Sequence, residues 1–188
     1  MKIAAQFKYN GVIDLICDAV FQFRLAKQES KSYAMNRYAR ASVMSSVFAL
    51  EAAANALVLS LNLNSAFAND VDKMSVITKF ELFLRLGDNY KNLDKSRSEI
   101  QKVRELIGLR NEYVHPKIRS IPTNVSRMRD SGSKVALPIE LTGEEWKAVG
   151  IPKRPMFWSA ESARLALCAT ADFLRLVISE FAIIGDRP

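Results

Sequence analysis

The stretch from Tyr33 to Asn62, YAMNRYARASVMSSVFALEAAANALVLSLN, decides how this chain folds. Met44, Val47, Phe48, Ala54, Val58 and Leu61 recur at three- and four-residue spacing, which predicts one long helix over about 33–62. Glu51 and Asn55 fall on the same stripe and are therefore expected to point inward. A buried carboxylate is costly unless it is paired, so Glu51 calls for a cationic or backbone partner. Asn62 and Asn64 mark the end of the helix.

The same periodicity extends to both sides. Residues 11–28 carry Val12, Leu15, Ile16, Ala19, Val20 and Phe23 on one stripe, with Asp14 and Asp18 early and Arg24 and Lys27 late, as the helix dipole favours. A third helix is expected over about 73–86, with Met74, Ile77, Phe80, Phe83 and Leu84 inward and Gly87 as its C′ residue. A fourth, about 96–114, opens on Ser96-Arg97-Ser98-Glu99, which matches a capping box. Its stripe is Ile100, Val103, Leu106 and Ile107, and Pro116 stops it. Residues 116–157 break the pattern, holding five of the six prolines and three of the seven glycines. Val135–Leu141 reads as a strand beside a turn at Ser131-Gly132-Ser133. A last helix, about 159–184, starts at Ser159 as N-cap and aligns Leu165, Cys168, Ala171, Leu174, Ile178 and Phe181.

The expected architecture is all-α. It is an up-and-down helical bundle of about five helices in a single domain over 1–188, and residues 117–157 form an irregular loop or small β-hairpin inserted before the last helix. The 188 residues, 49% of them hydrophobic, suffice for a core without disulfides, and 7 glycines with 6 prolines argue against disorder or a turn-rich β fold. Cys17 and Cys168 lie on expected apolar faces, so they read as reduced core thiols. No CxxC pair or Cys/His cluster suggests a metal, and no cofactor is expected. The opening MKIAAQFKYNG has no apolar h-region, and the uncharged stretch Ala52–Asn69 contains four asparagines. Neither reads as a leader or membrane span, so the cytoplasm is the expected location. A net charge of +7 and a pI near 9.5 favour polyanionic partners such as nucleic acid.

Chemistry concentrates at the end of the fourth helix, in LIGLRNEYVHP (residues 106–116), which holds the single histidine, His115. Asn111 and His115 are four apart and share a helix face. Arg110 is offset by about 140°, within reach of its long stem once the helix loosens before Pro116. An imidazole, a carboxamide and a guanidinium suit phosphodiester chemistry without a metal. The histidine moves a proton, the arginine clamps the phosphate, and the asparagine orients substrate or imidazole. One histidine cannot easily serve as both acid and base, so a symmetric dimer supplying two copies makes better chemical sense. The alternative is a dipole-favoured helix cap with a surface arginine nearby.

Arg-polar-x-x-x-His at the end of a penultimate helix resembles the Rx4–6H motif of HEPN domains, with Asn111 as the polar residue after the arginine. ALEAAAN at residues 49–55 is similar to the acid-plus-asparagine helix of several HEPN groups, and KFELFLRL at residues 79–86 is similar to the helix between. The resemblance covers about residues 10–185, with 117–157 poorly matched. It implies a dimerising helical bundle with paired motifs in a shared cleft, as in metal-independent endoribonucleases of toxin–antitoxin and defence systems. Other members of the family are non-catalytic modules that bind RNA, a nucleotide or a protein partner. By resemblance Arg110 and His115 are catalytic and Asn111 supports them. Lys117 stands where one toxin subgroup carries a modifiable tyrosine, so that regulation is not implied.

Glu51 and Asn55 are the expected supporting pair, Glu51 by holding Arg110, against the alternative that it bonds another arginine or a backbone group at a helix junction. Lys117, Arg119, Arg127, Arg129 and Lys134 follow the motif and are candidate RNA-backbone contacts, against the alternative of a solvated loop. Tyr113, Phe157 and Trp158 are candidates to stack bases, or else packing residues. The leading expectation is a homodimeric HEPN ribonuclease cutting RNA by 2′-hydroxyl attack, with an antitoxin or other protein as a further partner and no membrane. A non-catalytic HEPN module is the alternative. A helical DNA-binding regulator is disfavoured, since no helix-turn-helix signature stands out.

Overall fold

The computed structural model describes residues 11–86, 92–115 and 145–182. Among them six α-helices form: Gly11–Gln28 (α1), Ser32–Ser60 (α2), Ser65–Asp72 (α3), Val76–Leu86 (α4), Ser98–Val114 (α5) and Ala160–Ala182 (α6). Between α5 and α6 lie an antiparallel pair, Glu145–Trp146 (β1) with Ile151–Pro152 (β2), and a 3-10 turn at Pro155–Phe157. The all-α bundle with a small hairpin before its last helix is as the sequence predicts.

Small side chains set how closely the helices approach. Ala19 and Ala26 on α1, Ala39, Ser42, Ser46, Ala49 and Ala53 on α2, and Ala163, Ala166, Ala169 and Thr170 on α6 are all buried. The hydroxyls that close packing traps are bonded, as burial demands. Ser42 Oγ donates to the Ala19 carbonyl at 2.7 Å, Ser46 Oγ to the Ser42 carbonyl at 2.9 Å, and Thr170 Oγ1 to the Ser46 carbonyl at 3.4 Å. Larger residues fill both ends of the bundle. Toward α4, Phe80 meets Phe173 edge-on with centroids 4.9 Å apart, among Leu50, Ile100, Val103 and Val177. Toward the hairpin, Trp158 packs with Val43, Val47, Leu106, Leu109 and Ile151.

The hairpin is fastened to α5. Glu105 Oε2 accepts from the backbone N–H groups of Ala148 and Val149 at 2.7 and 2.8 Å. Gly150, at φ +72°, completes the turn, and the lack of a side chain at Gly108 lets the Trp146 ring lie on the helix, where a Cβ would sit 3.1 Å from it. From α2, Asn36 Nδ2 donates to the carbonyls of Pro155 and Trp158 at 2.9 and 2.8 Å, fixing the entry to α6. Because hydrogen bonds to a charged group are the stronger kind, Glu105→Ala is expected to cost about 2–3 kcal/mol in urea denaturation. Glu105→Gln, which keeps an acceptor oxygen, should cost less. An alanine variant with the parent's midpoint would contradict this role for Glu105.

Several expectations are corrected. The predicted third helix is α4, which starts at Val76, and an additional helix, α3, precedes it where none was predicted. Asn64 does not only follow α2 but caps α3, its Oδ1 accepting from Phe67 N–H at 2.9 Å, and α4 starts after Ser75, whose Oγ accepts from Thr78 N–H at 3.2 Å. The capping box at 96–99 does not form. Asp94, two residues earlier, is the better acceptor and binds both the N–H and the hydroxyl of Ser96, so α5 begins at Ser98 with Arg97 as N-cap and no side-chain cap bond. On α6 the buried face is Ser162, Ala163, Ala166, Ala169, Thr170, Phe173, Leu176 and Val177, rotated from the predicted stripe. The smaller residues win because they admit α2, and Ile178 is left 64% exposed. Cys17 and Cys168 are free and exposed, not core thiols. Gly87, Val135–Leu141 and the Ser131-Gly132-Ser133 turn lie outside the described residues.

By length and apolar composition α2 would also suffice to cross a membrane. Here its apolar residues are spent on α1, α4, α5 and α6, which surround it. Of the predicted stripe, Met44, Val47 and Ala54 are buried, whereas Glu51 is half-buried and Asn55 exposed instead of inward-facing.

Candidate functional site

Arg110, near the C-terminal end of α5, lies against the middle of α2. Its guanidinium carbon sits 5.8 Å from the centroid of the Phe48 ring, a cation–π arrangement. Glu51 Oε1, one turn further along α2, is 3.4 Å from Arg110 Nε, and the two side chains are 28% and 26% exposed. That contact is an ion pair without hydrogen-bond geometry, since Arg110 Nε is buried and lacks a hydrogen-bond acceptor. Arg110 Nη1 donates to Asn111 Oδ1 at 3.0 Å. An aromatic face, a carboxylate and a carboxamide thus hold the guanidinium, so Glu51, Arg110 and Asn111 are brought together.

His115 is the C-cap of α5. Its N–H donates to the Asn111 carbonyl at 3.0 Å, and at φ −118° and ψ 64° the backbone has left the helix. The side chain is exposed, and among the described residues its imidazole has no hydrogen-bond partner. The helix end therefore offers an accessible imidazole one turn beyond a held guanidinium. Such a pair can act on a phosphodiester, the arginine offsetting charge on the phosphate oxygens and the histidine transferring protons.

Asn55 is engaged elsewhere. One turn beyond Glu51, it leaves α5 and reaches α4, where its Oδ1 accepts from the buried Lys79 Nζ at 2.8 Å. Asp72 Oδ1 is 3.4 Å from the same ammonium, and this trio borders a separate cavity of about 480 Å³. Lys117, Arg119, Arg127, Arg129 and Lys134 lie outside the described residues. Trp158 is not a base-stacking surface. It is 1% exposed in the core, with Nε1 donating to the Pro152 carbonyl at 2.8 Å, because the bundle needs its bulk beneath the hairpin. Phe157 is half-buried. Tyr113 packs on Trp158, ring centroids 5.7 Å apart.

Beside Tyr113 the structure reveals residues that sequence reading did not single out. A cavity of about 370 Å³ is lined by Tyr33, Arg37, Arg40, Ala41, Met44 and Tyr113. On α2 these continue the face that carries Phe48 and Glu51. The three- and four-residue steps through Arg37, Arg40, Met44, Phe48 and Glu51 were the available signal. Among the described residues no three His, Cys, Asp or Glu side chains converge as a metal site requires.

Among the described residues the shifted carboxylates sit at structural contacts. Burial of Glu81 on α4 opposes its charge, but the ion pairs with Lys95 and Arg85, at 3.2 and 2.7 Å, outweigh it and hold the carboxyl below its ordinary pKa.

Comparison with known proteins finds no matching protein-family model, no similar curated protein and no similar solved structure.

Proposed function

We propose that this chain is a metal-independent endoribonuclease of the HEPN class. It works in the cytoplasm as a homodimer, in a toxin–antitoxin or anti-phage defence system, with an antitoxin or other protein as its regulator. The observation that carries the reading is the Arg110 guanidinium held by Phe48, Glu51 and Asn111 one turn before an exposed His115. In the proposed reaction the ribose 2′-oxygen attacks the adjacent phosphorus and the P–O5′ bond breaks. The products are a 2′,3′-cyclic phosphate and a 5′-hydroxyl. His115 of one copy accepts the 2′-hydroxyl proton, the partner's His115 protonates the departing 5′-oxygen, and Arg110 offsets the charge that builds on the phosphate.

A second reading is a non-catalytic HEPN module that binds RNA, a nucleotide or a protein. Its support is that Glu51 already answers the Arg110 charge, as a purely structural pair would. Expression separates the two readings. Growth arrest by the native chain, lost in His115→Ala and in Arg110→Ala, supports the nuclease. Equal harmlessness of all three, with RNA left intact in vitro, leaves the binding module.

Glu51 supplies a finer test as a positioning residue. Glu51→Gln keeps the shape but drops the charge that orients Arg110, so cleavage should fall about 10- to 100-fold. A partly exposed ion pair contributes at most about 1 kcal/mol, so the melting midpoint should barely move. Cleavage at the parent's rate would remove Glu51 from the proposal.

A further inference from the structure

The cavity at the start of α2 is lined by two cationic side chains and no carboxylate. Arg110, further along the same helix face, is paired with Glu51, whereas among the described residues Arg37 and Arg40 have no carboxylate partner. Arg40 Nε is a buried donor without an acceptor, so an anionic oxygen in the cavity would satisfy it. Arg37 lies over the Tyr33 ring at 5.7 Å, which presents a guanidinium and an aromatic face side by side. Across from them Tyr113 is backed by the buried Trp158 ring. Two unpaired guanidiniums between two tyrosines match the phosphate and base of one nucleotide unit.

We propose that this cavity is a second subsite for single-stranded RNA, with Arg37 and Arg40 on a backbone phosphate and Tyr33 and Tyr113 against the adjoining base. The inference rests on the reading of the Arg110–His115 end as an RNA site, but not on cleavage there. A strand fits better than a lone nucleotide because of distance. Arg40 and Phe48, against which Arg110 sits, are eight residues apart on α2, about 12 Å at the helical rise, more than one phosphate can bridge. A single strand fits better than a duplex because only unstacked bases offer their faces to tyrosine.

The test uses the full chain carrying His115→Ala, so that RNA is not consumed, and fluorescence anisotropy with a labelled single-stranded RNA of about ten nucleotides. Arg37→Gln and Arg40→Gln are each expected to weaken binding by about tenfold. Each should also lower the slope of log affinity against log salt by about 0.7, the value for one phosphate contact on a single strand. Arg175→Gln, on the exposed side of α6, is the charge-matched control and should leave the slope near that of the parent. Arg37 is exposed, so its replacement leaves the fold intact, and a melting curve on each variant excludes unfolding as the cause. Unchanged affinity and slope in the double variant would overturn the subsite, as would a duplex of the same sequence binding equally well. Failure of the nuclease reading looks different. RNA would then stay uncut by the native chain while binding still depended on Arg37 and Arg40.

Discussion

Replacing His115 by alanine is expected to slow cleavage of single-stranded RNA by about 10²- to 10⁴-fold, the range for removing a general acid or base. The melting midpoint should stay in place. The described contact of His115 is made by its backbone, through the N–H to the Asn111 carbonyl, and alanine keeps that bond. The exposed imidazole supports nothing in the core. Arg110→Ala should cost about 10²- to 10³-fold through loss of charge stabilisation, and should also leave the half-buried Glu51 without its cation. A second measurement addresses the number of histidines. If each reaction needs one from each copy, mixing the native chain with excess His115→Ala protein should lower the activity per native chain, since most dimers formed would lack one proton-transfer group. Activity proportional to native chain alone would mean that one copy suffices. A His115→Ala protein that cuts RNA at the native rate would end the proposal.

The elements that depend on one strong periodic face were legible in the sequence. α1 spans Gly11–Gln28 as its stripe predicts, and α2 and α5 begin and end within a turn of expectation. α6 was legible as a helix but not in its orientation, because it is apolar on two sides. Leu165, Leu174 and Ile178 form as good a stripe as Ala163, Ala166 and Phe173, and only close contact with Ser46 and its neighbours on α2 selects the second. That also explains why Cys168 is exposed. At the site, the argument that a carboxylate on the Phe48 face needs a cation led to Glu51 and Arg110, which do meet. Asn55 was grouped with them by its spacing from Glu51 and by the resemblance of ALEAAAN to an acid-plus-asparagine helix, and one further turn is enough to change its neighbour from α5 to Lys79 on α4. Arg37 and Arg40 were not legible as a pair at a cavity, because arginines on an early helix turn read in sequence as ordinary solvated charges and only the packing of Tyr113 opposite them makes the cavity.

Trp158→Ala is expected to have the largest effect on stability, about 3–5 kcal/mol for loss of a fully buried indole. At this chain length that corresponds to a fall in melting midpoint of roughly 6–20 °C. The loss has three sources. Alanine leaves a void between Val43, Val47, Leu106, Leu109 and Ile151, removes the Nε1 donor from the Pro152 carbonyl, and takes away the ring on which Tyr113 rests. Trp158→Phe separates these terms. It retains most of the volume and an aromatic face for Tyr113 but leaves the Pro152 carbonyl without its donor, so about 1–3 kcal/mol should be lost. If Tyr113 forms one wall of an RNA subsite, the phenylalanine variant should bind single-stranded RNA nearly as well as the parent below its own melting range. The alanine variant, at a temperature where circular dichroism reports it folded, should bind more weakly, because its tyrosine has lost its backing. Equal binding by both folded variants would mean that Tyr113 does not need the platform. The stability argument would survive that result, since it depends only on the burial of Trp158, and a Trp158→Ala midpoint close to the parent's would refute it.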